Sequence, residues 1–124
     1  MDDASLTHMF ELTSHQTPGA AKSKPRYVYL MRTELSSILN VYGRMVAAGE
    51  WHDYAIDHLE DIAIFSIFRR ASEMPLYRII KDPSLTHKQG TWRITGMNGQ
   101  ILKRGKDLSI LLRYFDKQLL KAIG

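Results

Sequence analysis

The sequence of 124 residues contains no cysteine. Disulfide frameworks, thiolate metal sites and cysteine nucleophiles are therefore excluded. It also contains no apolar run approaching the roughly 18 residues that span a bilayer. The opening Met1-Asp2-Asp3 is acidic and lacks the basic and apolar regions of a secretory signal. These absences lead us to expect a cytoplasmic protein that does not enter a membrane.

Arrangements of side chains that support catalysis or metal binding are also missing from the sequence. The five histidines do not show the paired spacing that brings three or four ligands to one zinc ion. No serine lies in a recognisable nucleophile elbow, and no glycine-rich phosphate loop opens a helix. We therefore expect no catalytic residues, no metal and no cofactor.

Composition predicts a folded domain preceded by a tail. Hydrophobic residues make up 44% and charged residues 24% of the chain, which is ordinary globular usage. Residues 1–24 are rich in Ser, Thr, Gln, Gly, Ala and Lys and show little apolar periodicity, so we expect a disordered, flexible tail. Residues 25–124 are long enough for a single domain with its own core.

Two segments have the periodicity of amphipathic helices. The first is expected to begin with Thr33 as its N-cap and to end at Gly49. The second is expected to begin with Asp107 as its N-cap. The apolar faces comprise Leu35, Ile38, Leu39, Tyr42, Met45 and Val46 in the first helix, and Leu108, Leu111, Leu112, Phe115 and Leu119 in the second.

The remaining apolar stretches predict strands. They comprise residues 26–32, 62–68, 76–81, 91–96 and 100–104, with residues 51–60 left open between strand, turn and helix. Asn98-Gly99 predicts a two-residue type I′ hairpin loop. The sequence therefore predicts an α+β fold, with a mostly antiparallel sheet of four to five strands and two main helices packed on it. The first strand is expected at a sheet edge, and the last four in a meander.

Charge is distributed unevenly along the chain. The total is +4, but residues 33–61 carry a net charge of −5 and residues 69–124 a net charge of +8. An acidic middle beside a basic half suggests contact with a polyanion, with an acidic protein surface, or between two copies.

The predicted register of the hairpin places arginines together. If Met97 lies opposite Gln100, then Arg93 pairs with Arg104, and both point to one face. Burying Tyr77 and Ile79 with Trp92 and Ile94 turns Arg78 to the same face. The same alternation exposes Ile80 and Leu102 there and turns Lys103 toward the core side.

The stretch Lys103-Arg104-Gly105-Lys106 precedes the last helix. Basic side chains and the free N–H groups of a helix N-terminus can hold a phosphate. Asp107 at the N-cap would compete for the same donors. The candidate residues for binding an anion or a partner are Arg78, Arg93, Lys103, Arg104 and Lys106.

Several strings between residues 27 and 117 together resemble a small alphaproteobacterial family, domain of unknown function 2794. They comprise residues 42–51, 53–57, 68–73, 75–79, 89–90, 101–105 and 107–108. The resemblance implies a bacterial, cytoplasmic protein. It implies no activity, cofactor or catalytic residue.

Three classes of function are compatible with these observations. The first is a non-catalytic interaction or regulatory module that binds another protein or a second copy of itself. The second is a module that binds nucleic acid or another polyanion through the basic C-terminal half. The third is an enzyme of a class that the sequence does not name. No small-molecule substrate is indicated.

Overall fold

The computed structural model describes residues 27–70 and 73–123, so the predicted tail of residues 1–24 lies outside the described residues. No helix in the described part is long and apolar enough to cross a membrane. The elements in chain order are helix α1 (Arg32–Ala47), strands β1 (Asp53–His58), β2 (Ala63–Phe68) and β3 (Tyr77–Lys81), a short 3-10 helix (Pro83–Leu85), strands β4 (Trp92–Thr95) and β5 (Ile101–Gly105), and helix α2 (Leu108–Ile123).

The five strands form one antiparallel sheet in the order β1-β2-β3-β4-β5. Every strand pairs with its neighbours in sequence, which confirms the predicted α+β fold and the meander. Residues 51–60, which the sequence left open, contain the edge strand β1. The continuous apolar run at 62–68 becomes β2, which is largely buried on both faces.

The core lies between one face of the sheet and the two helices. Phe65, Ile79 and Ile94 are aligned across three strands and are fully buried. The helix α2 contributes Leu111, Leu112 and Phe115, which are buried as its periodicity predicts. Phe115 makes edge-on ring contacts with Trp51 and Tyr77.

The buried stripe of α1 differs from the predicted one. Val41 is buried beside Ile38 and Met45, whereas Val46 is 41% exposed. The reason is that α1 packs against α2 as well as the sheet, and Val41 and Leu112 line the cleft between the helices. The periodicity alone did not show this second neighbour.

The strand predicted over residues 26–32 is wrong for the described residues. Tyr27 forms only an isolated bridge with Glu60, and the Val28 N–H donates to the Leu59 carbonyl at 2.9 Å. The predicted cap is also wrong, since α1 begins after Met31 rather than Thr33. The Glu34 carboxylate accepts a hydrogen bond from the Met31 N–H at 2.8 Å, which satisfies a donor that the first helical turn leaves free.

Lys81 holds this segment against the end of β3. Its Nζ donates to the Tyr29 carbonyl and to Glu34 Oε1, both at 2.8 Å. The side chains of Lys81 and Glu34 are only 14% and 22% exposed, and the ammonium lies 5.9 Å from the Trp92 ring centroid. One half-buried ion pair therefore joins the end of β3 to the beginning of α1.

The predicted two-residue hairpin loop is also wrong. The Gly96 N–H donates to the Gln100 carbonyl and the Gly99 N–H to the Gly96 carbonyl, so residues 97–99 form a three-residue loop. Within this loop only Gly99 has a positive φ, at +81°. The Gln100 side chain accepts a hydrogen bond from the Asn98 N–H. These contacts favour a loop with one left-handed glycine rather than the type I′ turn.

A bulge in β5 compensates for the longer loop. Ile94 pairs with Lys103, whereas Thr95 pairs with Ile101, so Leu102 is an extra residue. The loop and the bulge each shift the register by one residue, and the shifts cancel beyond Ile94. The predicted exposure of Leu102 is therefore wrong: Leu102 packs against the core, and Ile101 lies on the opposite face. The predicted exposure of Ile80 is wrong as well, since Ile80 is only 7% exposed.

Replacing Phe115 by Ala should lower the free energy of unfolding by about 3–5 kcal/mol, because a fully buried ring leaves a cavity in the core. Urea denaturation measures the change. Leu120→Ala is the matched control on the same helix, since Leu120 is 66% exposed. Equal losses in the two variants would contradict the assigned helix face.

Glu34→Ala should destabilise the protein by about 1.5–3 kcal/mol, because it leaves the half-buried Lys81 ammonium without its carboxylate. Lys81→Met should cost less, since the Glu34 carboxylate that it leaves unpaired is more exposed than the Lys81 ammonium and keeps its hydrogen bond from the Met31 N–H. The exposed Glu73 provides a control through Glu73→Ala. If Lys81→Met lowered the free energy of unfolding more than Glu34→Ala does, the unpaired Lys81 ammonium would not be the main source of destabilisation in Glu34→Ala.

Candidate functional site

The face of the sheet opposite the helices carries three arginines. Arg78 is paired with Thr95, and Arg93 is paired directly with Arg104. Partners in an antiparallel pair share a face. Since Tyr77 and Ile79 alternate with Arg78, the three arginines lie on the helix-free side of β3, β4 and β5, as the register predicts. We call this side, defined by Arg78, Arg93 and Arg104, the arginine face.

The arginine face contains a depression of about 510 Å³. Its floor includes Ile80 and Thr95, which are only 7% and 6% exposed. The arginines line its sides, and the lining is completed by Asp82, Leu85, Gly99 and Ile101. The depression is shallow and open to solvent. An apolar floor with cationic sides suits a ligand that is both acidic and apolar.

Asp82 organises one side of the depression. Its carboxylate accepts hydrogen bonds from Arg93 at 3.0 Å, and from the Ser84 hydroxyl and N–H at 2.6 and 3.2 Å. Burial raises the pKa of Asp82, but the hydrogen bonds from Ser84 and Arg93 outweigh it and hold the pKa below its ordinary value of 3.8. Asp82 therefore stays ionised, neutralises Arg93, and begins the 3-10 helix that carries Leu85.

Arg78 and Arg104 remain available to bind a ligand. Within the part of the chain that the structure describes, no ion pair or hydrogen bond joins either guanidinium to another side chain. Arg104 lies directly opposite Arg93, and like charges in that position repel. A guanidinium can donate two parallel hydrogen bonds to a carboxylate or a phosphate. An anion at Arg78 or Arg104 would pair with a guanidinium that no carboxylate of the described residues neutralises.

The structure separates the two candidate lysines from the arginines. Lys103 is paired with Ile94, whose side chain is buried among the helices, so Lys103 lies on the helix side of the edge strand and is exposed. Lys106 is exposed in the connection that precedes α2. Neither residue lines the depression. The five candidate residues therefore do not form one cluster.

The N-terminus of α2 is already capped. The Asp107 carboxylate accepts hydrogen bonds from the Ser109 N–H at 2.9 Å, the Ser109 hydroxyl at 2.7 Å and the Ile110 N–H at 3.4 Å. The hydrogen bonds from Ser109 and Ile110 lower the pKa of Asp107, so the carboxylate is ionised near neutral pH. The donors that a phosphate would need are occupied, as the sequence suggested they would be.

On the side of the sheet that carries the arginine face, the charge changes from negative at β1 to positive at β4 and β5. Asp57, Ile64, Ile80, Arg93 and Arg104 are successive partners across the five strands. This row begins with a carboxylate at the edge strand β1 and ends with two guanidinium groups. The arginine face is therefore basic only over β3 to β5 and does not continue as a basic surface across β1.

A second, smaller cavity of about 280 Å³ lies at the other side of the sheet near the end of α2. Glu50, Arg69, Tyr77 and Lys121 are among the residues that line it. Burial raises the pKa of the Tyr77 hydroxyl, with a smaller contribution from Tyr114. The mixture of opposite charges gives this cavity no preference for one class of ligand.

The sequence did not indicate two residues of the depression. Asp82 was assigned to a loop, although the pattern Asp82-Pro83-Ser84 is a typical beginning of a short helix and marks its carboxylate as a hydrogen-bond acceptor. Ile101 lies at the depression because of the bulge at Leu102, which has no signal in the sequence.

The family model described as Protein of unknown function (DUF2794) matches residues 28–112. The chain belongs to this family. The match includes α1, the whole sheet and the first turn of α2, and it contains all five candidate residues. Searches of curated proteins and of solved structures found no match. Membership in DUF2794 confirms the resemblance and assigns no ligand or activity.

Asp82→Asn should lower the free energy of unfolding by about 1–2 kcal/mol near neutral pH, because Arg93 and Ser84 lose a charged acceptor. The folded protein has a pKa for Asp82 below the ordinary 3.8. The stabilisation is therefore complete above that value and is lost as the pH falls through the folded pKa. Urea denaturation of both proteins from neutral to acid pH should show their difference shrinking. A constant difference would contradict the assignment.

Proposed function

We propose that this DUF2794 protein is a non-catalytic interaction module of the bacterial cytoplasm that binds an acidic segment of another protein in the depression of the arginine face. The observation that carries the proposal is that Arg78 and Arg104 have no partner among the described residues and lie beside an apolar floor. Carboxylates would satisfy the two guanidinium groups. Apolar side chains would contact Ile80, Leu85 and Ile101.

A protein ligand fits the depression better than a nucleic acid does. Binding to a nucleic acid backbone needs cationic side chains arranged along the path of the phosphates. Lys103 and Lys106 do not continue the arginine cluster, and Asp57 and Asp82 lie on the same side of the sheet as the arginines. A short segment with both acidic and apolar residues requires no such path.

Binding of defined probes tests the proposal by fluorescence anisotropy. The first probe is a labelled peptide that combines Glu with Leu and Phe, and the others replace Glu by Gln, or Leu and Phe by Ser, or are a labelled single-stranded oligonucleotide. We expect the first peptide to bind most tightly. The Arg78→Ala/Arg104→Ala variant should bind it at least about 10-fold more weakly, because two charge-assisted hydrogen-bonding groups are lost.

The Lys103→Ala/Lys106→Ala variant is the matched control, because it removes the same charge from the neighbouring part of the chain outside the depression. It should retain the affinity of the wild type. If both variants bound the peptide equally weakly, the loss of affinity would be due to net charge and not to the two arginines of the depression. Tighter binding of the oligonucleotide than of the peptide, with the same dependence on Arg78 and Arg104, would replace this proposal by polyanion binding.

A further inference from the structure

The N-terminal segment of this chain has the composition that the depression is suited to bind. Residues 1–21 contain Asp2, Asp3 and Glu11 and no Lys or Arg. The apolar residues of the same stretch include Leu6, Met9, Phe10 and Leu12. We propose that residues 2–12 bind in cis in the depression of the arginine face and thereby compete with the partner. This inference rests on the proposed function of that site.

Charge complementarity favours this occupant. Arg78 and Arg104 have no anionic partner among the described residues, and Arg93 has only Asp82. The net charge of residues 1–21 is −3, counting Asp, Glu, Lys and Arg side chains. Carboxylates of the segment would pair with Arg78 and Arg104, and a guanidinium can donate two parallel hydrogen bonds to one carboxylate.

The length of the connecting chain permits this contact. The described chain begins at Tyr27, which is bridged to Glu60 at the connection between β1 and β2. The connection between β1 and β2 lies at one end of the strands. Arg93 and Arg104 belong to the second row of paired residues counted from that end. Crossing from β1 to β4 requires about 14 Å at ordinary strand spacing. Residues 13–26 can extend over about 46 Å, so they reach around the sheet edge with slack.

Weak intrinsic affinity is sufficient for a segment that is tethered to its site. A short flexible connection gives an effective concentration in the millimolar range. Ordering a segment on binding costs affinity, and the tether offsets part of this cost. The segment would occupy the depression in the free protein and give way to a partner with more acidic or apolar contacts.

Paramagnetic relaxation in the full chain tests the contact directly. Because the protein has no cysteine, Ser5→Cys introduces a unique position for a nitroxide label. We expect the label to broaden the amide resonances of Thr95, Ile101 and Arg104, and to leave those of Ser37 and Asn40 on the opposite side unchanged. Mixing labelled protein with unlabelled, isotope-enriched protein should give no broadening, since the contact is in cis.

Charge reversal provides the matched variants. Arg104→Glu, at an exposed position of the edge strand, should reduce the broadening, and Arg78→Glu/Arg104→Glu should abolish it. Lys103→Glu/Lys106→Glu, with the same change in charge, should retain it. Asp2→Lys/Asp3→Lys/Glu11→Lys in the Arg78→Glu/Arg104→Glu background should restore it. Dispersed amide spectra establish that each variant is folded, and Arg104→Glu alone keeps the test valid if the double variant unfolds.

Neutralising the segment measures the competition. Asp2→Asn/Asp3→Asn/Glu11→Gln should bind the acidic, apolar probe peptide at least about threefold more tightly than the wild type, because the tethered competitor is weakened. No broadening at the depression, or unchanged probe affinity, would overturn the inference. Broadening only in the mixed sample would overturn it as well, since the segment would then occupy another copy. In each case, probe binding that depends on Arg78 and Arg104 would leave the proposed function intact.

Discussion

The half-buried ammonium of Lys81 is the contact on which the arrangement of the two layers depends. Its Nζ donates one hydrogen bond to the Tyr29 carbonyl and one to the Glu34 carboxylate, each 2.8 Å long. These bonds tie the segment before α1 and the first turn of α1 to the end of β3. The Glu34 carboxylate also accepts a hydrogen bond from the N–H of Met31, the N-cap residue, and this contact helps to fix where the helix begins. With α1 tied to the same side of the sheet as α2, the other side carries neither of the two α-helices, and that side holds the arginines.

The identity of the residues on that open side depends on two irregularities that cancel. The three-residue loop shifts the pairing of β4 and β5 by one position, and the bulge at Leu102 shifts it back. Without the bulge, a shift of one residue would turn Arg104 toward the core side. Arg93 and Arg104 therefore keep the pairing that a two-residue loop without a bulge would also give, because the bulge cancels the shift of the longer loop. Ile101 reaches the depression for the same reason.

Most of the architecture could be predicted from the spacing of apolar residues over short stretches of sequence. The differences between the predicted and the observed fold arise from contacts between residues far apart in the sequence. The stripe of Leu111, Leu112 and Phe115 and the apolar run of β2 predict their elements, because burial on one or both sides imposes a period. The strand propensity of Tyr27 to Leu30 misleads for a segment that Lys81, 52 residues after Tyr29, holds against the end of β3. The arginine face could be predicted from alternation alone. The pairing of Asp82 with Arg93 could not, since it depends on how the loop after β3 returns to β4.

The depression combines two features that are each unfavourable in the free protein, namely uncompensated guanidinium groups and apolar surface in contact with water. Arg104 lies opposite Arg93 on the neighbouring strand, and Ile101 in the same depression is 44% exposed to water. Asp82 compensates for one of the three arginines, because its carboxylate is held by Ser84 and kept ionised. The charges of Arg78 and Arg104 remain uncompensated at the edge of a floor formed by Ile80 and Thr95. A ligand that brings carboxylates together with apolar groups removes both penalties at once, whereas a purely anionic or a purely apolar ligand removes only one. Under the proposed function, the site would therefore select ligands by the combination of the two chemistries rather than by charge alone.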